Sequence, residues 1–238
     1  MSRLLLVRHG QASFLEEDYD KLSKTGEIQA RLLGEYWAQR RICFDHVYSG
    51  PRKRQLDTAR IVGEAFTKAG CPWPEIEMMT EFDEYYGESV MELSLPGLVE
   101  SNPEVRKLHQ AFSAASDLRD KHRTFQRLFE VIIGKWANGE IQVESVEPWA
   151  SFAARVCRGL AQLSAGGANR QIAVFSSGGP IGVTVQRALE LSIENTLRAA
   201  WMARNASFSE FLFSGERFTL SSFNTSPHLD DPALVTYR

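Results

Sequence analysis

Leu4-Leu5-Leu6-Val7-Arg8-His9-Gly10-Gln11 is the stretch on which the reading turns. Four apolar residues in a row, with no polar alternation, suit a strand buried on both faces, and the run ends at a cation, an imidazole and a glycine. A second run, Ile172-Ala173-Val174-Phe175, ends in the same way at Ser176-Ser177-Gly178-Gly179. Between them lie segments of helical period: Ile28, Leu32 and Tyr36 after Thr25-Gly26, then Leu56, Ala59, Val62 and Phe66 after Pro51. Doubly buried strands alternating with amphipathic helices predict a layered α/β/α fold around a mostly parallel sheet.

From about residue 88 to 146 the pattern is helical only, with Val105, Leu108, Phe112 and Ala115 on one stripe and Phe125, Leu128, Phe129, Ile132 and Trp136 on the next. We read this as a helical cap inserted into a single domain over residues 1–238. Phe152, Val156 and Leu163 restore strand–helix alternation, and residues 208–213 and 218–223 around Ser214-Gly215-Glu216 predict a C-terminal antiparallel hairpin.

The 238 residues carry a net charge of −3, which gives no overall attraction to nucleic acid or anionic lipid. A small partner is therefore expected, and any affinity for phosphate must come from a local cluster of positive charge. Cys43, Cys71 and Cys157 have neither CxxC spacing nor an even count, which argues against a zinc site and a disulfide framework. The apolar opening is too short for a signal-peptide core and nothing approaches membrane-spanning length, so a cytoplasmic location is expected.

In an open α/β sheet, ligands bind beyond the carboxyl ends of the strands, which places Arg8-His9-Gly10, Ser49-Gly50-Pro51 and Ser176-Ser177-Gly178-Gly179 in one neighbourhood. Three cations follow Pro51 where a helix dipole is already positive, at a cost of about 0.3–1 kcal/mol for each badly placed charge. A fold seldom accepts that without an anion. Gly178-Gly179-Pro180 reads as a glycine turn with proline at a helix start, whose free N–H groups favour phosphate. No metal-ligand spacing appears, and no cofactor is implied.

These residues, in order, resemble the histidine phosphatase superfamily, also called phosphoglycerate mutase-like. Leu5 to Gln11 is similar to its signature, with His9 matching the histidine that becomes phosphorylated. Leu22-Ser23 with Gly26 and Gln29-Ala30 resembles the start of its first helix. Ser49 to Arg54 with Thr58-Ala59 resembles the second motif and matches Arg54 to a phosphate-binding arginine. Phe82-Asp83-Glu84 resembles the segment supplying the acid, which makes Glu84 the match and Glu81 its competitor. One position departs: where the pattern is a Ser-His-Gly-Gly-like stretch, Ser177 stands in place of the second active-site histidine.

The resemblance implies a metal-independent phosphomonoesterase in which His9 attacks phosphorus and Glu84 protonates the leaving oxygen. Arg8, Arg54, Gly10, Gln11, Ser177 and Gly178 would hold the phosphate. Ser177 can donate a hydrogen bond but carries no charge, and loss of one preorganised donor costs about 10²–10³ in rate. With no Gly-Trp-rich segment after the first motif, hydrolysis is favoured over mutase chemistry. The alternative is a catalytically impaired phosphate-ester-binding or regulatory protein of the same fold. A mononucleotide-binding domain is disfavoured by the lack of a Walker lysine loop or GxGxxG. His46, His109, His122 and His228 are all expected to be structural or exposed, though His228, after Ser226-Pro227, could fold back toward the pocket. Trp136, Trp149, Arg106, Arg119 and Arg123 of the insert could line a cap or simply pack and solvate.

Overall fold

The computed structural model describes residues 1–13 and 20–237. Its six-stranded sheet has the order β3-β2-β4-β1-β5-β6. The strands are β1 (Ser2–Arg8), β2 (His46–Ser49), β3 (Ile76–Met78), β4 (Gln171–Ser176), β5 (Phe208–Ser214) and β6 (Arg217–Thr225). β3, β2, β4 and β1 are mutually parallel, whereas β5 and β6 run antiparallel and close the sheet as a hairpin. The expected α/β fold, mostly parallel sheet and terminal hairpin are all present. β1 and β4 lie in register, Leu4 beside Ile172 and Arg8 beside Ser176, so the two apolar runs that mark the sequence end side by side.

The helices are α1 (Lys24–Gln39), α2 (Lys53–Lys68), α3 (Gly87–Ser101), α4 (Pro103–Ala114), α5 (Leu118–Ala137), α6 (Trp149–Ala165), α7 (Gly178–Leu189) and α8 (Ile193–Met202). By contact density the chain separates into two compact units. One comprises residues 1–84 and 155–238 and holds the whole sheet; the other, residues 85–154, is helical. The helical unit has its own aromatic centre, where the Tyr85 ring lies 5.4 Å from Trp136 and 5.6 Å from Phe152. Trp136 and Trp149 are buried there, the packing outcome of the two expected for them.

In the sheet unit the apolar stripes of α1 and α2 cover one face of β1, β2 and β4. Trp37 is fully buried at the centre, 5.0 Å from the Phe44 ring and 5.6 Å from Phe208. Two glycines allow the loop after β1 to lie on the start of α1: a Cβ on Gly10 would stand 2.5 Å from the Gly26 carbonyl oxygen, and one on Gly26 would stand 2.2 Å from that of Gln11. Gly10 therefore serves close approach, not a left-handed turn.

His228 lies buried, 6.0 Å from the Tyr36 ring, and neither of its ring nitrogens has a hydrogen-bond partner among the described residues. Burial lowers its pKa from 6.5 to about 4, weakly opposed by the nearby Ala206 backbone. The unfolded chain thus binds a proton that the folded chain refuses across this interval, and stability falls as pH drops from about 6.5 toward about 4. His228→Leu should flatten that acid limb by an amount on the order of 3 kcal/mol, read from urea unfolding of both proteins at a series of pH values.

Candidate active site

Parallel pairing of β1 and β4 delivers His9 to the carboxyl edge of the sheet, where each polar atom of the residue is engaged. Its backbone N–H donates to Ser176 O at 2.9 Å. Its carbonyl accepts from Ala206 N–H at 3.1 Å and from Asn205 Nδ2 at 3.2 Å. Ala206 adopts the left-handed conformation, φ 54°, uncommon for a residue bearing a Cβ. On the ring, Nδ1 stands 2.6 Å from Gly10 O, and because a carbonyl only accepts, Nδ1 carries the proton. Nε2 accepts from Arg54 Nε at 3.1 Å. Burial above all, then Arg54 and Arg8, holds the imidazole pKa well below 6.5, so the ring is neutral with its lone pair on Nε2.

The cations after Pro51 meet anions from the chain itself. α2 begins two residues later than its proline suggested, with Arg52 as the flanking residue, and Arg52 Nε donates to Asp83 Oδ1 at 2.6 Å. Asp20 bridges the helix start, taking the Lys53 backbone N–H on Oδ2 at 2.8 Å and Arg54 Nη1 on Oδ1 at 2.6 Å. Arg8 Nη1 donates to Ala203 O.

The structure separates the two candidate acids. Glu84 Oε2 accepts from Gly179 N–H at 3.1 Å and so joins the end of β4 and the start of α7. Glu81 instead takes Gln162 Nε2 on Oε1 at 3.1 Å, on α6. The Gly179 N–H, expected to face a phosphate, is thereby already used by a carboxylate, an anion that a helix start favours. Arg155 clamps the acid segment through the carbonyls of Thr80, Glu81 and Asp83.

Gln11 is held by its neighbours: its N–H donates to Gln29 Oε1 at 2.8 Å and its Oε1 accepts from Ser23 Oγ at 2.9 Å. The Gly10 N–H donates to Thr58 Oγ1 at 3.0 Å. Ser177 is completely buried, and its Oγ accepts from Gln55 Nε2 at 2.7 Å. His228 makes no hydrogen bond to the His9 imidazole; its ring lies near the Ala206 backbone, whose N–H binds the His9 carbonyl. Sequence reasoning missed Asp20, Gln29, Gln55 and Asn205. Gln29 also binds Leu234 O and Thr236 Oγ1, and Thr236 in turn donates to Asn205, whose amide holds His9. Among the described residues no three His, Cys, Asp or Glu side chains are grouped to hold a metal ion, and no helix is long and apolar enough to cross a membrane.

The site thus centres on a buried, neutral histidine at the carboxyl edge of a mixed sheet, with Arg54 and Arg8 the charges that act on it. The family model of the histidine phosphatase superfamily (branch 1) matches residues 4–115 and 114–226, and the chain belongs to that superfamily. No curated protein matches the sequence. Among solved structures, a phosphoserine phosphatase mutant from Entamoeba histolytica in complex with phosphoserine is 22% identical over 96% of this chain and 100% of that one, with a TM-score of 0.63. A mycobacterial glucosyl-3-phosphoglycerate phosphatase is 21% identical over 94% and 99% of the two chains, at 0.61. A phosphoglycerate mutase from Bacillus anthracis is 14% identical over 96% and 95%, also at 0.61. At these identities the likeness establishes a shared fold.

Because Arg54 is the foremost of the charges depressing the His9 pKa, Arg54→Met should move it upward, while burial keeps it below 6.5. NMR titration of the imidazole in wild type and variant reads the shift; an unchanged or lowered value would contradict the geometry.

Proposed function

We propose that the chain is a phosphate-monoester hydrolase that works through a phosphohistidine on His9, with neither metal nor cofactor. One observation carries this: the Nδ1 proton is committed to Gly10 O at 2.6 Å, which leaves a neutral ring with a lone pair on Nε2, beside a guanidinium. Nε2 attacks phosphorus, the ester P–O bond breaks, and Glu84 protonates the departing oxygen. Water then gives a proton to Glu84 and attacks the phosphorus, the P–N bond breaks, and inorganic phosphate leaves. During attack the Arg54 N–H passes from Nε2 to a phosphoryl oxygen, so the group that orients the nucleophile also neutralises the charge it creates. Arg8 assists from the adjoining position, while Gly10, Gln11 and Ser177, whose polar groups bond within the chain, shape the wall of the phosphate pocket beside Gly178.

The phosphoserine and glucosyl-3-phosphoglycerate phosphatases that share the fold support a small phosphorylated substrate. Three free cysteines fit a reducing compartment, and we place the protein in the cytoplasm. A second reading, an impaired phosphate-ester-binding or regulatory protein, is favoured by one feature. Ser177 brings no charge, and its hydroxyl is buried and held by Gln55.

Hydrolysis of an aryl phosphate in the presence of a chelator decides between them. Wild type should turn over and accumulate acid-labile phosphate on the protein, and His9→Ala should do neither. Equal rates in the two proteins would sink the hydrolase reading in favour of the binding one. Glu84→Gln should lower kcat by about 10²–10⁴, the range for a positioned proton donor, whereas Glu81→Gln should leave it near wild type.

A further inference from the structure

Gln55 lies one residue beyond Arg54 in the first turn of α2 and is completely buried. A buried carboxamide carries two donors and an acceptor that need partners, and here the partners come from three separate segments. Its Oε1 accepts the Arg52 backbone N–H at 3.1 Å, which fixes which way the amide points. Nε2 is then obliged to face the other way, where it donates to Ser177 Oγ at 2.7 Å and to Phe82 O at 3.4 Å. Ser176 Oγ donates to the same Phe82 carbonyl at 2.8 Å. The cavity around the amide is tight: a Cβ on Gly50 would stand 2.2 Å from Gln55 Oε1 and 2.7 Å from Phe82 O.

These bonds close a ring. From Gln55 the path runs to Ser177, along the chain to Gly179, across to Glu84 Oε2 at 3.1 Å, back along the chain to Phe82, and returns to Gln55. Arg54 hangs from the same turn of helix, with its Nε on His9 Nε2. The spacing between guanidinium, α7 start and acid is therefore set through one side chain.

We propose that Gln55 is a positioning residue of the phosphate pocket, a buried carboxamide that joins the start of α2, the β4–α7 turn and the acid segment, and that positions 55 and 177 act as one unit. Gln55 touches no reacting atom. Its effect reaches the ligand through Arg54, Gly178-Gly179 and Glu84. Placing a larger side chain at 177 then requires a smaller one at 55, since the space beside Ser177 is filled.

The catalytic side of this inference rests on the hydrolase reading, so the primary readout is the Kd for inorganic phosphate, measured by calorimetry, which needs no turnover. Gln55→Met keeps the length of the side chain and removes every hydrogen bond; it should weaken phosphate binding about tenfold, as loss of hydrogen bonds at a linked site does. Ser177→Ala should weaken it by a lesser factor, and the double variant should be no worse than Gln55→Met alone. Gly50→Ala, which crowds the amide without removing any group, should move Kd in the same direction. If the hydrolase reading holds, KM for an aryl phosphate follows Kd; if wild type proves inactive, the Kd series still decides. A purely structural Gln55 would lower the melting temperature and leave Kd within about twofold, which overturns the proposal. So would effects of Gln55→Met and Ser177→Ala that multiply in the double variant. Should Gln55→Met fail to fold, Gly50→Ala and Ser177→Ala decide by the same thresholds.

Discussion

Among the described residues, five hydrogen bonds hold His9: Ser176 O on its N–H, Ala206 N–H and Asn205 Nδ2 on its carbonyl, Gly10 O on Nδ1 and Arg54 Nε on Nε2. Two of the backbone partners are available only because β1 lies between β4 and β5, with Arg8 opposite Ser176 and Val7 opposite Phe208. The Gly10 bond fixes the tautomer, and the Arg54 bond brings the first turn of α2 to the end of β1. The rest of the sheet unit can be described as the means by which these partners are delivered. Trp37 and the aromatic rings around it set the spacing between α1, α2 and the sheet on which the delivery depends.

The electrostatics follow from that packing. An imidazole buried between two guanidiniums loses stabilisation if it takes a proton, so the ring stays neutral and the local charge remains that of the arginines alone. Of the two, Arg54 is balanced in part by Asp20 and Arg8 Nη1 donates to Ala203 O, while the neighbouring Arg52 pairs with Asp83. The helix start that looked overcharged in sequence is thus an ordinary one, with anions drawn from elsewhere in the chain.

The neighbourhood of Arg8-His9 and Ser176–Gly179 was legible because two unbroken apolar runs can only be interior strands, and interior strands of an α/β sheet end on a common edge. The family pattern pointed to Glu84 with Glu81 as its competitor, and the structure gives the two carboxylates different partners, Gly179 N–H and Gln162 Nε2. Gln55 was not legible. A glutamine inside an amphipathic helix reads as a solvated face, and nothing local reveals that its amide is enclosed by Ser177 and Phe82, residues distant in sequence. Asn205 was hidden for the same reason, and Gln29, named only within the first-helix pattern, gave no sign of its bonds: both work through long-range hydrogen bonds, which leave no periodicity. The burial of His228 also escaped a local reading, because it lies in a turn after β6 and Tyr36 reaches it from α1.

The position of β1 bears on how the molecule is made. β1 is translated well before its two neighbours, β4 and β5, which follow two further strands and six helices, and the loop that grips the His9 carbonyl follows β4 as well. During synthesis the apolar run therefore waits without a partner on either edge, a state prone to mispairing and of interest to chaperones. Contacts so distant in sequence also slow spontaneous folding, because their loop-closure entropy must be met before any of them forms. Assembly of the histidine's surroundings and closure of the sheet then coincide as one late event.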